Sequence, residues 1–420
     1  MNTIQQAIEL AEKNETEKAL ALLSDYQKNA DDDSLFQIAE LYLQWGFLIE
    51  SRTILEQLIE KYPEETALKL TLSDIFIESE EDELAITILN EIPEGDEGYY
   101  VQALIQLADL YQAQGLFEVS EQKLLEAKHI DPQESIIDFA LGELFFSIGE
   151  YVKAINYYER VYTKTKEVGH VSIEDRLGEA YAAAGEYEKA LEFYKEEEEP
   201  DPDKLFRHGI TAHQAARDDI AMKAWEHVLE IDQDYYAAYT QLANVYKEQG
   251  MFEEAYKTVQ QGLERDSYQK ELFFLAADIA HQLGKNNESE EHVRQAIALE
   301  PDYKEAVLFL IELLKEKEAF DEIIELIHSI KNTGAEDALY DWELAKANVE
   351  IESFDDALNS YQQAYTSLQH DSDFLKEYGY FLTEEGRVQE AIPILKAYLD
   401  QQPIDEDVRE HVERLEQDLM

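Results

Sequence analysis

A small residue that opens a helical stretch returns along the chain at an almost constant interval. It stands at Ala19, Ser51, Ala85, Ser120, Ala154, Ala190, Ala221, Ala255, Ser289, Ile323, Ala357 and Ala391, with Ile323 the one bulky exception. From Ala221 onward the step is 34 residues every time; before it the steps are 32, 34, 35, 34, 36 and 31. A chain with such a period does not build one compact core. It stacks similar units, each burying its apolar face against the next.

The stretch Leu177 to Pro202 shows what a unit contains: L-G-E-A-Y-A-A-A-G-E-Y-E-K-A-L-E-F-Y-K-E-E-E-E-P-D-P. Twelve positions before the marker stands a second small residue, as at Ala39, Ser73, Gly142, Gly178, Gly209 and Gly379. Facing small residues let two helices of a hairpin approach closely. A bulky residue follows it at Tyr42, Phe76, Tyr111, Phe145, Tyr181 and Tyr246, sharing a helix face with the Leu four positions earlier at Leu72, Leu107, Leu141, Leu177 and Leu242. Gly46, Gly115, Gly149, Gly185, Gly250, Gly284 and Gly386 mark the turn between the helices. Pro63, Pro132, Pro202, Pro301 and Pro403 are expected to close second helices.

These residues resemble the tetratricopeptide repeat, and at finer grain the whole chain resembles the YpiA-type repeat proteins of bacilli. The resemblance implies an all-α fold: a right-handed superhelical α-solenoid of about twelve helix-turn-helix hairpins over residues 1–403, closed by a C-terminal capping helix in 404–420. Val408, Val412, Leu415 and Leu419 would form the apolar face of that helix. A bend is expected near 196–203, E-E-E-E-P-D-P-D, between repeats 1–6 and 7–12. The first repeat is atypical, with Asn14 in place of the turn Gly, and the third ends early at Pro93. Two extra residues lie between Lys166 and His170. Repeat ten carries Ile at both small positions, Ile311 and Ile323, and is expected to be a widened or weak hairpin.

Charge narrows the range of partners. The chain has 94 acidic and 35 basic residues, a formal net charge of −59. Such a field repels nucleic-acid phosphates and anionic lipid surfaces and favours basic partners. At 45% hydrophobic content with a helical period, the acidity does not signal disorder. With no Cys there is no disulfide, thiolate metal site or Cys nucleophile. No signal peptide and no apolar run of about 20 residues is present. A soluble, cytoplasmic protein without membrane insertion is expected.

No constellation of residues departs from the repeat to suggest catalysis. There is no Gly-rich phosphate loop, and the ten His are scattered. His208 and His213 are five apart, a poor spacing for two metal ligands on one helix face. Asp31, Asp32 and Asp33 read as the start of a helix rather than a calcium loop. Catalytic, cofactor and metal sites are expected to be absent.

The resemblance implies that first helices line a concave groove. Eleven positions before each marker it places Glu40, Asp74, Asp109, Glu143 and Glu179, an acidic ladder; one turn earlier it places Phe36, Leu70, Ile105 and Phe139, an apolar one. These nine are the candidate peptide-binding residues. Relatives that grip a peptide's terminal carboxylate use basic or Asn residues at such positions, and here those places are acidic or apolar. The expected function is a non-enzymatic scaffold or adaptor for a protein or peptide segment that is basic and apolar. An enzyme, a regulator, and a nucleic-acid mimic that sequesters a basic nucleic-acid-binding protein remain as alternatives.

Overall fold

The protein is described by a computed structural model over residues 3–194 and 200–419. The chain divides into two units, Met1–Glu198 and Glu199–Met420. Half of the segment of the expected bend at 196–203, residues 196–199, lies outside the described residues.

The first unit begins with the hairpins α1 (Thr3–Glu12) and α2 (Thr16–Tyr26), α3 (Asp32–Gln44) and α4 (Leu48–Lys61), and α5 (Thr66–Glu78) and α6 (Asp82–Leu89). It continues with α7 (Glu97–Ala113) and α8 (Phe117–Ile130), α9 (Ser135–Ser147) and α10 (Tyr151–Tyr162), and α11 (Ile173–Ala183) and α12 (Tyr187–Leu191). The second unit opens with α13 (Pro202–Gln214) and α14 (Asp218–Ile231), α15 (Tyr236–Glu248) and α16 (Phe252–Arg265), and α17 (Lys270–Gln282) and α18 (Asn286–Leu299). Then come α19 (Lys304–Glu316) and α20 (Phe320–Asn332), α21 (Ala338–Glu350) and α22 (Phe354–Leu368), α23 (Ser372–Glu384) and α24 (Val388–Gln401), and the closing helix α25 (Glu406–Asp418). Among the described residues this is an all-α solenoid of twelve hairpins plus one helix, with one small exception. The two extra residues after Lys166 form a short antiparallel ribbon, Glu167 opposite Ser172 and Val168 opposite Val171.

Every hairpin turns at the same offset. Five positions before each marker the backbone is left-handed, with φ between +56° and +82°. Seven of these residues are the turn glycines; the others are Asn14, Glu80, Ala216, Glu318 and Glu352. The next residue donates its N–H back to the carbonyl five positions earlier: Phe47 to Tyr42, Glu150 to Phe145, Arg217 to Ala212 and Ser353 to Asn348, at 2.8–2.9 Å. This 6→1 closure satisfies a carbonyl that the helix end leaves open and reverses the chain.

The small pair then sets the helix spacing. The Ser51 hydroxyl donates to the Ala39 carbonyl and Ser289 to Ala277, both at 2.7 Å, so the two small positions do face each other. The chief space requirement, however, comes from the residue four beyond the marker. A Cβ added at Gly142, Gly209 or Gly379 would overlap Tyr158, Trp225 or Leu395. Trp225 is fully buried, and its indole N–H donates to the Phe206 carbonyl at 3.2 Å. Second helices pack on the following first helix, α4 on α5 and α8 on α9 among them, so the core runs along each stack.

Local sequence explains the ends. Asp31 caps α3 by accepting from the Ser34 N–H at 2.8 Å. Pro202 sits in the first turn of α13 behind the cap Asp201, so it opens that helix rather than closing α12. α25 buries Val408, Val412 and Leu415 against the last hairpin, while Leu419 stays about half exposed at its end. Asp405 fixes this helix by accepting from the Lys376 ammonium, the Tyr398 hydroxyl and the Val408 N–H.

Ile311 and Ile323 are both fully buried, and α19 and α20 approach each other less closely than any other hairpin pair. Hydrogen exchange is expected to show residues 304–331 opening more readily than hairpins nine and eleven; equal protection would mean that neighbouring packing compensates. At Glu352, exposed and left-handed, a Cβ strains the turn. Glu352→Gly should raise the denaturation midpoint by an amount worth about 0.5–1 kcal/mol, the gain being reduced by the extra freedom of the unfolded chain. Glu352→Ala, which removes the charge and keeps the Cβ, should not.

Candidate functional site

First helices touch one another along the first unit: α3 meets α5, α5 meets α7, and α7 meets α9. Side chains join the same row. The Gln106 amide on α7 donates to Asp74 on α5 at 2.6 Å, and Arg176 on α11 reaches Glu143 on α9 at 2.9 Å. All nine candidate residues lie on these first helices, α3, α5, α7, α9 and α11.

The five acids differ in state. Glu40 is exposed and has no ion pair or hydrogen bond among the described residues. Asp74 is half-buried; burial raises its pKa, against the lowering effect of the Gln106 hydrogen bond. Asp109 has no partner among the described residues. It keeps contact with solvent, yet the surrounding protein displaces enough water to push its carboxyl up to about 6. Glu143 and Glu179 are not free acids. Arg176 bridges them, Nε to Glu143 and Nη1 to Glu179, each at 2.9 Å. Glu143 also accepts from the Tyr158 hydroxyl at 2.7 Å, and burial followed by this carboxylate drives the Tyr158 phenol far upward. The signal for Arg176 was present in the chain: it and Lys69 are the basic residues of α3, α5, α7, α9 and α11. Lys69 is taken by Glu91 at 3.1 Å.

The apolar column is shallower than an open patch. Phe36 and Leu70 lean on the core of hairpins one to four, and Ile105 and Phe139 on that of hairpins four to six. All four are half-buried, and the Phe139 ring lies 6.2 Å from that of Tyr158. Each therefore offers one edge rather than a whole side chain. Sequence reasoning missed a neighbouring depression, open to solvent and of about 460 Å³, lined by Asp109, Gln112, Ala113, Phe117 and Ser147. Phe117 stands just after the turn glycine and is 37% exposed.

First helices of the second unit carry lysines that pair with their acids. Lys247 pairs with Asp278 at 3.0 Å. Lys315 joins Glu312 and Glu343, and Lys346 joins Glu343 at 3.0 Å and Glu377 at 3.8 Å. The Lys346 ammonium lies 3.9 Å from the Trp342 ring centre, and the Trp342 indole and Tyr361 hydroxyl both donate to Glu377. His213 is held by Asp218 at 2.8 Å, a turn contact rather than a ligand set. Among the described residues no group of three or more His, Asp or Glu is placed to hold a metal, and no helix is long and apolar enough to cross a membrane.

Paired helices of this length, closed by one left-handed residue and stacked through small positions, define a tetratricopeptide-repeat solenoid. Comparisons with known proteins agree. Residues 339–405 match YpiA-like, C-terminal tetratricopeptide repeats, and residues 112–165 match YpiA-like tetratricopeptide repeats. Residues 175–205, 236–268 and 271–303 match general tetratricopeptide repeats, and 1–115 the ARM repeat of tetratricopeptide repeat protein 21. The chain is 41% identical over 419 residues to the TPR repeat-containing protein YpiA of Bacillus subtilis (strain 168), covering 99% of each. Distant likenesses among solved structures include the Cut9–Hcn1 hetero-tetramer of APC/C (TM-score 0.37, 11% identity, 97% of this chain and 95% of that). YrrB, a TPR protein with an unusual peptide-binding site, is similar at TM-score 0.36 and 18% identity over 44% of this chain and 95% of its own. A third is the C-terminal part of a TPR protein from Cytophaga hutchinsonii (TM-score 0.42, 13% identity, 65% of this chain and 98% of that). The chain belongs to the YpiA-type family of tetratricopeptide-repeat proteins.

The unpaired Asp109 has a consequence for stability. Its folded-state pKa of about 6 lies above the ordinary value of 3.8, so between these values the folded chain holds a proton that the unfolded chain has lost. Stability falls as pH rises through this window, and the penalty is complete above pH about 6. Asp109→Asn should therefore be more stable than wild type at pH 7.5, with a smaller difference at pH 5. Urea midpoints at the two pH values check it.

Proposed function

We propose that this chain is a non-enzymatic scaffold, acting in the cytoplasm, that holds a protein or peptide segment against the inner face of its first unit. The observation that carries the reading is the contrast between two equivalent faces. On the second unit Lys247, Lys315 and Lys346 pair with Asp278, Glu312, Glu343 and Glu377, whereas Glu40 and Asp109 on the first have no ion pair among the described residues. A segment with basic and apolar side chains supplies what this face lacks, with the edges of Phe36, Leu70, Ile105 and Phe139 as its apolar contacts. Glu143 and Glu179 are spoken for by Arg176 and serve to shape the wall. A second reading, sequestration of a basic nucleic-acid-binding protein by the whole acidic surface, is favoured by the net charge of −59.

A partner recovered by cross-linking in the native cell allows both readings to be tested by binding kinetics. Glu40→Lys should mainly slow association, because it reverses an exposed steering charge. Phe139→Ala should speed dissociation and cost roughly 1–3 kcal/mol. Glu60→Lys, on the second helix α4, is the control. If it slows association as much as Glu40→Lys does, the field of the whole protein acts and the groove reading falls.

A further inference from the structure

We infer that the depression between hairpins four and five is a subsite for one lysine or arginine side chain of the bound segment. This rests on the groove reading above and gives it a position. The walls come from three helices: Asp109, Gln112 and Ala113 from the end of α7, Phe117 from the start of α8, and Ser147 from the end of α9. Their hydrogen-bonding capacity is unequal. One N–H of the Gln112 amide is used on the Ser147 hydroxyl at 3.3 Å, leaving a single N–H, and that hydroxyl donates to the Leu144 carbonyl at 2.8 Å. What remains is mostly acceptor: the Asp109 carboxylate and the Gln112 carbonyl oxygen. Ammonium and guanidinium groups are the side-chain heads that only donate.

The apolar part of the lining suits the same occupant. Ala113 and the exposed edge of Phe117 can cover a methylene stem while its charged head stays at the wet end. An aromatic ring beside a carboxylate adds its own attraction for a cation. A bare metal ion fits poorly, because one carboxylate and one amide fall short of the ligand number that calcium or zinc takes. An anionic group would meet the Asp109 carboxylate with only one amide N–H of Gln112 to offset the repulsion. α7 and α9, which supply four of the five lining residues, contain no basic residue.

The test uses the full chain and an immobilised library of random dodecapeptides at physiological salt. Wild type should retain peptides in which one position, fixed relative to the apolar residues, is enriched in Lys or Arg by about tenfold, the order expected of a charge-assisted contact. Asp109→Asn should still retain peptides but with that enrichment below about twofold, while Asp109→Glu keeps most of it. Phe139→Ala should lower total retention and leave the enrichment unchanged. Undiminished enrichment with Asp109→Asn, or no enrichment with wild type, overturns the subsite and leaves the groove standing. If wild type retains no peptide above background, both fall.

Discussion

Each hairpin depends on one residue held at positive φ, five positions before the buried small residue that opens its second helix. That conformation lets the next N–H close back on the first helix, and the closure fixes where the second helix begins. Once it is fixed, Ala39 must face Ser51 and Ala277 must face Ser289, close enough for a side-chain hydroxyl to reach a backbone carbonyl. The seat for Tyr158 over Gly142, or for Trp225 over Gly209, follows from the same register. Steric strain at Glu80, Ala216, Glu318 and Glu352 is tolerated because the whole reversal requires it.

A second constraint is the shortage of cations. With 94 acids and 35 basic residues, most carboxylates have no Lys or Arg available. Tyrosine hydroxyls supply further, neutral donors: Tyr100 to Glu126 and Tyr181 to Glu159 at 2.6 Å, Tyr246 to Glu226 and Tyr256 to Glu288 at 2.7 Å, with Glu126 and Glu288 also near Lys123 and Lys285. The bond to Glu126, then burial, pushes the Tyr100 phenol up to about 12; burial and then Glu226 do the same to Tyr246. A phenol satisfies a carboxylate without cancelling its charge. Rigid packing and a strongly negative surface are thereby compatible, which explains a use for many of the 26 tyrosines that base stacking or a catalytic role does not.

The repeat was legible because it is written in single residues. The twelve markers and seven turn glycines have one reading each, and the structure places a hairpin at every marker. What was not legible depends on which side chains meet. Nothing local distinguishes Glu318 as left-handed; its offset from Ile323 does, once the other turns are known. Pro202 looked like a stop because its chain position suits either end, and Asp201 as a cap decides for the start of α13. The acidic ladder was found as a column of identities, but Arg176 divides it into paired and unpaired members. The apolar ladder was likewise a column of positions whose depth is set by the core beneath it.

The first helices of the two units differ in how their carboxylates are paired. A ligand entering among Lys315, Glu343, Lys346 and Glu377 would have to break ion pairs already made, and each broken pair leaves a half-buried charge to be satisfied again. A ligand cation reaching Asp109 breaks nothing. It meets an exposed carboxylate that has no ion pair or hydrogen bond among the described residues. The raised pKa of that carboxylate means that its ionised form costs the folded chain stability as pH rises. The place of the unpaired carboxylates, more than the total charge, decides where a cationic group can bind without breaking an existing ion pair.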